Sequence, residues 1–142
     1  MASFDINAVR AQIKTLLQSV AGLAFVYDFN NPNVDGYPCA IFDVSDEQAA
    51  FFDEVSNLRT IQFTINILQE ISVAGEQAAK TQLDAVVKDV VNLFEKASNT
   101  SLSGTVDWIM PLTGSRKHIA TPQGGAYAQE ILLKANVVSS IL

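Results

Sequence analysis

Residues Arg59–Ile71 read RTIQFTINILQEI, and Ile61, Phe63, Ile65 and Ile67 alternate there with Thr60, Gln62, Thr64 and Asn66. Successive side chains of a β-strand point to opposite faces. The alternation therefore predicts a strand with one dry face and one wet face. A slip of one residue would turn every apolar group outward, so the register of such a strand is strongly specified. Strands of this kind belong to mostly antiparallel sheets covered on one side. At about 3.4 Å per residue a strand of this length spans roughly 40 Å, enough to project beyond the core of a small domain.

The flanking sequence supplies the remaining elements. Upstream, YPCAIFDV (Tyr37–Val44) and LAFVYDF (Leu23–Phe29) are rich in aromatic and branched residues and read as strands. The turn formers of NNPNVDGYP between them predict that the chain reverses there. Before these, Ile6, Val9, Ile13, Leu16, Leu17 and Val20 recur at three- and four-residue steps, the stripe of an amphipathic helix. Ser3 or Asp5 is placed to cap it and Gly22 to end it. Downstream, Glu76–Lys96 repeats the helical pattern through Ala79, Leu83, Val86, Val87, Val90, Val91 and Phe94. Asp84 and Lys88 stand four residues apart on its polar side, a favourable spacing for an ion pair. SNTSLSG (Ser98–Gly104) is a polar connection, and TVDWIMPL (Thr105–Leu112) is a short strand in which Pro111 marks an end or an edge. A long loop, TGSRKHIATPQGG, leads to a last strand, Ala126–Val138, with apolar groups on both faces. The expected order is α-β-β-β-α-β-β: a single α+β domain over residues 1–142, with two helices packed on a mostly antiparallel sheet and an extended hairpin between strands 2 and 3.

Composition narrows the function. Charged residues make up only 17% of the 142 and apolar ones 49%, against about 25% charged in an ordinary domain. A lightly charged surface suits a chain that covers part of itself with partners. A net charge of −6, with basic residues clustered only at Arg116-Lys117-His118, disfavours a protein that grips DNA by neutralising phosphates. It suits a wall past which DNA slides. The N-terminus shows no signal-peptide pattern and no run is long enough to span a bilayer, so cytosolic synthesis is expected.

Catalytic and metal-binding readings find little to stand on. One histidine and one cysteine cannot build a zinc site without unusual carboxylate help. Cys39, between Pro38 and Ala40-Ile41, reads as a small buried hydrophobe. No G-x-S-x-G elbow accompanies His118. Gly114-Ser115-Arg116-Lys117 has the wrong glycine spacing for a phosphate loop. Asp43 with Asp46, and Asp53 with Glu54, read as solvent-facing charges. The expectation is no enzyme, no cofactor and no metal.

Two features remain as candidate contacts. AAFFDEV (Ala49–Val55) places Phe51 and Phe52 side by side among acidic residues, Asp53 and Glu54 included. Adjacent side chains diverge on a strand or a helix, so one core does not readily take both rings. Either they close over the core in a short helical turn, or they anchor in a neighbouring subunit, where large buried aromatics carry much of the binding energy. The basic loop residues Arg116, Lys117 and His118 either stay solvated or form a docking arm for an acidic partner, DNA phosphate included.

The amphipathic helix, the turn NNPNVDGYP, the strand YPCAIFDV, the extended hairpin into RTIQFTINILQEI, the long helix and the closing strand pair form a sequence of elements. It resembles the small tail terminator and tail-completion proteins of long-tailed bacteriophages, at the head–tail joint. That resemblance implies a homohexameric ring that caps the finished tail tube, stops its polymerisation and presents a surface to the head connector. The implied partners are further copies of the chain, the tail tube protein and the head connector or stopper, with DNA passing through the bore without specific binding. The implied location is the virion neck, after assembly in the host cytoplasm. Other neck adaptors and tail tube proteins share the pattern. A cytosolic ligand-binding or regulatory module is the reading from a different class.

Overall fold

The computed structural model describes residues 5–28, 35–53, 56–71, 75–120 and 125–140; for residues 51–53 and 139–140 it describes the backbone path alone. Its elements are α1 (Ile6–Gln18), β1 (Phe25–Tyr27), β2 (Cys39–Asp53), β3 (Ser56–Glu70), α2 (Glu76–Glu95), a short 3₁₀ turn (Ala97–Asn99), β4 (Trp108–Ile119) and β5 (Ala126–Ser140). This is the α-β-β-β-α-β-β order expected from the sequence. The five strands form one sheet in the order β1-β2-β3-β5-β4. All its pairings are antiparallel except β1 with β2.

The alternation in Arg59–Ile71 sets the layers. Ile61, Phe63, Ile65 and Ile67 are fully buried, and they pair across the sheet with Ala135, Leu133, Ile131 and Gln129 of β5. Phe42 and Ala40 of β2 extend the same face, opposite Ile65 and Ile67. Over it lie Val9, Ile13 and Leu17 of α1 and Ala79, Leu83, Val86, Val87, Val90 and Phe94 of α2. Both helices therefore cover one face of the sheet and leave the other to solvent. Asp5 caps α1 by accepting from the Asn7 amide at 3.0 Å. The helix stops at Gln18, ahead of Gly22, because the Ser19 amide already folds back onto Leu16 and Leu17.

Four expectations need correction. The segment Thr113–Ile119, expected as loop, is strand: β4 runs on to Ile119, and Arg116, Lys117, His118 and Ile119 pair with Gln129, Ala128, Tyr127 and Ala126. A bulge between Thr113 and Arg116 takes up Gly114 and Ser115, so turn-forming residues bend the strand without ending it. The strand Tyr37–Val44 likewise continues to Asp53, so Ala49–Asp53 is strand and neither a loop nor a helical turn. The strands flanking NNPNVDGYP run parallel, Phe25 facing Cys39 and Tyr27 facing Ile41, where a simple reversal was expected. Residues 30–34 of that turn, and Phe29 before it, lie outside the described positions. Asp84 pairs with Arg116 of β4, and Lys88 is not its partner.

Candidate functional site

The surface with the most unspent binding capacity is the sheet itself, at its two sides and its far end. β1 covers β2 only from Cys39 to Ile41, so among the described residues β2 has no neighbour on that side from Phe42 to Asp53. β4 is the opposite border and, among the described residues, has no neighbour beyond it. Each border leaves a row of backbone N–H and C=O groups directed at solvent, which is a template for another strand.

The β2–β3 hairpin rises out of the core as the long alternating strand suggested. Ser45 to Ala50 are all exposed, although each except Ser45 is paired with β3. Its acidic residues are held in order. Glu47 pairs with Arg59 across the hairpin. Asp46 accepts from Gln48 Nε2 at 3.3 Å. Lower on β2, Asp43 takes Arg10 of α1 at 2.7 Å. Phe51 pairs by register with Asn57, and a second irregularity between Phe51 and Asp53 sets Phe52 out of step with β3. The placement of the two rings and of the Asp53 side chain is not among the described positions, and Glu54 lies outside them.

On β4 the three basic residues divide between the faces. Arg116 turns to the helix side, where Nε donates to Gln129 Oε1 at 2.9 Å and the guanidinium pairs with Asp84 of α2. Gln129, 6% exposed, also donates to the carbonyl of Gly114 at 3.0 Å, which pins the bulge. His118 packs edge-on against Tyr127 at 5.6 Å, and Lys80 Nζ of α2 lies 5.4 Å from the centre of that ring. Lys117, one residue from each, faces the opposite, helix-free side. These three residues, expected on a loop as solvated groups or a docking arm, are ordered on a strand and do not form a free arm.

The sequence reading missed the apolar rim of the helix-free face. Trp108, Met110, Leu112 and Ile119 of β4 are 38%, 63%, 57% and 40% exposed. On the other side Phe25 is 40% exposed and stacks on Tyr27 at 6.4 Å between centroids. Between these rims the face is polar, with Thr60 donating to Asn136 Oδ1 at 2.9 Å and a small hollow lined by Asp46, Gln48, Thr60, Gln62 and Lys134. Pro111 signalled the border position of β4; the exposure of its alternate residues follows once that position is known. A groove between the end of α1 and α2, lined by Ser19, Val20, Asp89, Asn92, Leu93 and Lys96, is wide open. Among the described residues no group of three His, Cys, Asp or Glu side chains converges, and no helix is long and apolar enough to cross a membrane.

No protein-family model matches the chain, and no characterised protein matches it in sequence. In three dimensions it is similar to a chain of the virion of a native gene transfer agent particle, with a TM-score of 0.56 and 14% identity. The likeness covers 94% of this chain and 97% of that one, so the two share a fold from end to end.

Proposed function

We propose that this chain is a structural protein of a virion, and more specifically a tail terminator. Its copies close into a ring, hexameric as in the proteins it resembles, over the last ring of a tail tube. The ring occupies the surface that the next tube ring would use, which stops polymerisation, and it offers its other side to the head connector. Nothing in this mechanism needs a bond to be made or broken, so the chain acts without enzyme activity or cofactor. DNA passes through a bore whose acidic balance gives the phosphates no grip.

The observation that carries the reading is the end-to-end match of fold with a virion chain. The match spans 94% of this chain and 97% of the virion chain, so it is the whole described fold that is alike and not one shared motif. The exposed hairpin and the two uncovered sheet borders support it, since an isolated domain gains nothing from long strand edges left open. A closed ring also needs head-to-tail contacts, in which two different surfaces of one copy meet, and this sheet has two different borders.

Electron microscopy of the purified protein mixed with tail tubes tests the proposal. A terminator decorates one end of each tube and blocks further growth. Long cylinders made of this protein alone would reassign it as a tube protein, and a monomer without affinity for tube ends would remove it from the tail.

A further inference from the structure

The two open borders of the sheet fit each other. We infer that copies of this chain join by strand pairing, β4 of one against the outer half of β2 of the next, with Lys117 beside Asp46 and Leu112 beside Ala50. The inference rests on the ring proposed above and names the surface that builds it.

Direction comes first. β2, β3, β5 and β4 alternate up and down through three antiparallel pairings. Two copies related by a rotation about an axis to which the strands are inclined therefore bring β4 and β2 together antiparallel, and the sheet continues without a change of face. The helices then stay on one side of the assembled wall and the polar centre of the free face on the other.

Charge and shape then choose the register. Asp46 and Lys117 both point to the helix-free face; Glu47 and Arg116 both point to the helix side. When Lys117 lies opposite Asp46, antiparallel order puts Arg116 opposite Glu47. The acidic strand meets the only basic cluster of the chain. The pairing then advances four positions to Ala50 on β2. On β4 it advances five to Leu112, and the extra residue is taken up by the bulge at Gly114-Ser115. Leu112, 57% exposed, thus covers exposed Ala50 on the same face. Past Pro111, which lacks an N–H to extend the ladder, Met110 comes level with position 52 near the end of the arm, and Trp108 falls two positions beyond. One register satisfies the charges and the apolar residues together.

The register also carries a stagger. Within one copy Lys117 stands level with Leu68, through Ala128, and Asp46 stands level with Gln62, six residues earlier on β3. A sheet that closes on itself requires such a stagger between strands, whereas an unstaggered join would set Met110 and Leu112 against Asp46 and Asp43.

Sedimentation velocity over a concentration series on four proteins decides the matter: wild type, Lys117→Glu, Asp46→Lys, and the double exchange. Each single change puts like charges together and is expected to raise the half-assembly concentration about tenfold or more. The double exchange restores the attraction and is expected to recover most of that loss. Both residues are exposed, so thermal unfolding of the monomer should stay constant across the set. A second arm places Cys at Leu112 and Ala50 of one chain. Oxidation should give a non-reducing ladder that ends at the ring, and neither single cysteine should give one. Rings that form normally with either single charge change, a double exchange that restores nothing, or an absent ladder would overturn the pairing and leave the ring standing. A wild-type protein that stays monomeric at every concentration would overturn both.

Discussion

At residue 63 the chain commits a large ring to the interior: Phe63 is fully buried between Ile61 and Ile65, in the core to which both helices contribute. Phe63→Ala is expected to cost about 3–5 kcal/mol, the lost transfer plus the cavity left behind, and to lower the melting temperature accordingly. Thr64→Ala, one position along and on the open face, should cost under about 1 kcal/mol. A calorimetric comparison of the two tests the alternation from which the fold was read; equal losses would contradict it. Cys39 makes a similar contrast in chemistry. Its thiol is fully buried, and burial pushes its pKa from an ordinary 9.0 up to about 11, because the thiolate is the form that loses hydration. A native-state pKa above the unfolded value means stability is intact below about pH 9 and falls as pH rises toward about 11. Thiol reagents at pH 8 should label the native protein far more slowly than the denatured one; rapid native labelling would place Cys39 at the surface.

Among the elements, the β2–β3 hairpin and β4 are where sequence and structure part, and the reason is the same in both. Propensity judged residue by residue stops a strand at Ser45 or at Thr113-Gly114-Ser115, yet a ladder continues wherever its partner supplies hydrogen bonds. β3 and β5 are long and regular, and they carry their neighbours through bulges that local patterns cannot announce. What was legible is what periodicity encodes, both helices and the dry face of β3, together with what residue type encodes, the burial of Cys39 and an end or edge position for Pro111. The parallel join of β1 to β2 has no local signal, since residue spacing says nothing of strand direction. The candidate site was half legible for the same reason. The acidic arm and the basic cluster stood out by composition, but their complementarity depends on which borders the sheet leaves open. The arm also bears a direct test. Phe51→Ser together with Phe52→Ser, beside exposed Ala49 and Ala50, is expected to weaken assembly severalfold while the monomer keeps its circular dichroism and melting temperature. A monomer that unfolds would return the rings to the core.

For the whole molecule, the balance between charge and apolar contact decides how the assembly answers to salt. The net charge of −6 makes copies repel one another at long range, and salt screens that repulsion. The proposed border instead juxtaposes Asp46 and Glu47 with Lys117 and Arg116, and salt screens that attraction. The two effects have opposite signs and different reach. At about 0.1 M salt the screening length is about 10 Å, longer than the separation of paired strands and shorter than the span of a subunit. Above that concentration the long-range repulsion is already damped, and what further salt weakens is the local attraction between the borders. Raising sodium chloride from about 0.1 to about 0.5 M is therefore expected to shift wild-type protein toward smaller species. In a variant with Lys117→Gln and Asp46→Asn, the Trp108, Met110 and Leu112 contacts carry a larger share, and these do not weaken with salt. Its assembly, weaker from the start, should respond less to the same change. Light scattering along a salt series on the two proteins measures the difference, and parallel curves would mean that the Lys117–Asp46 contact does not exist.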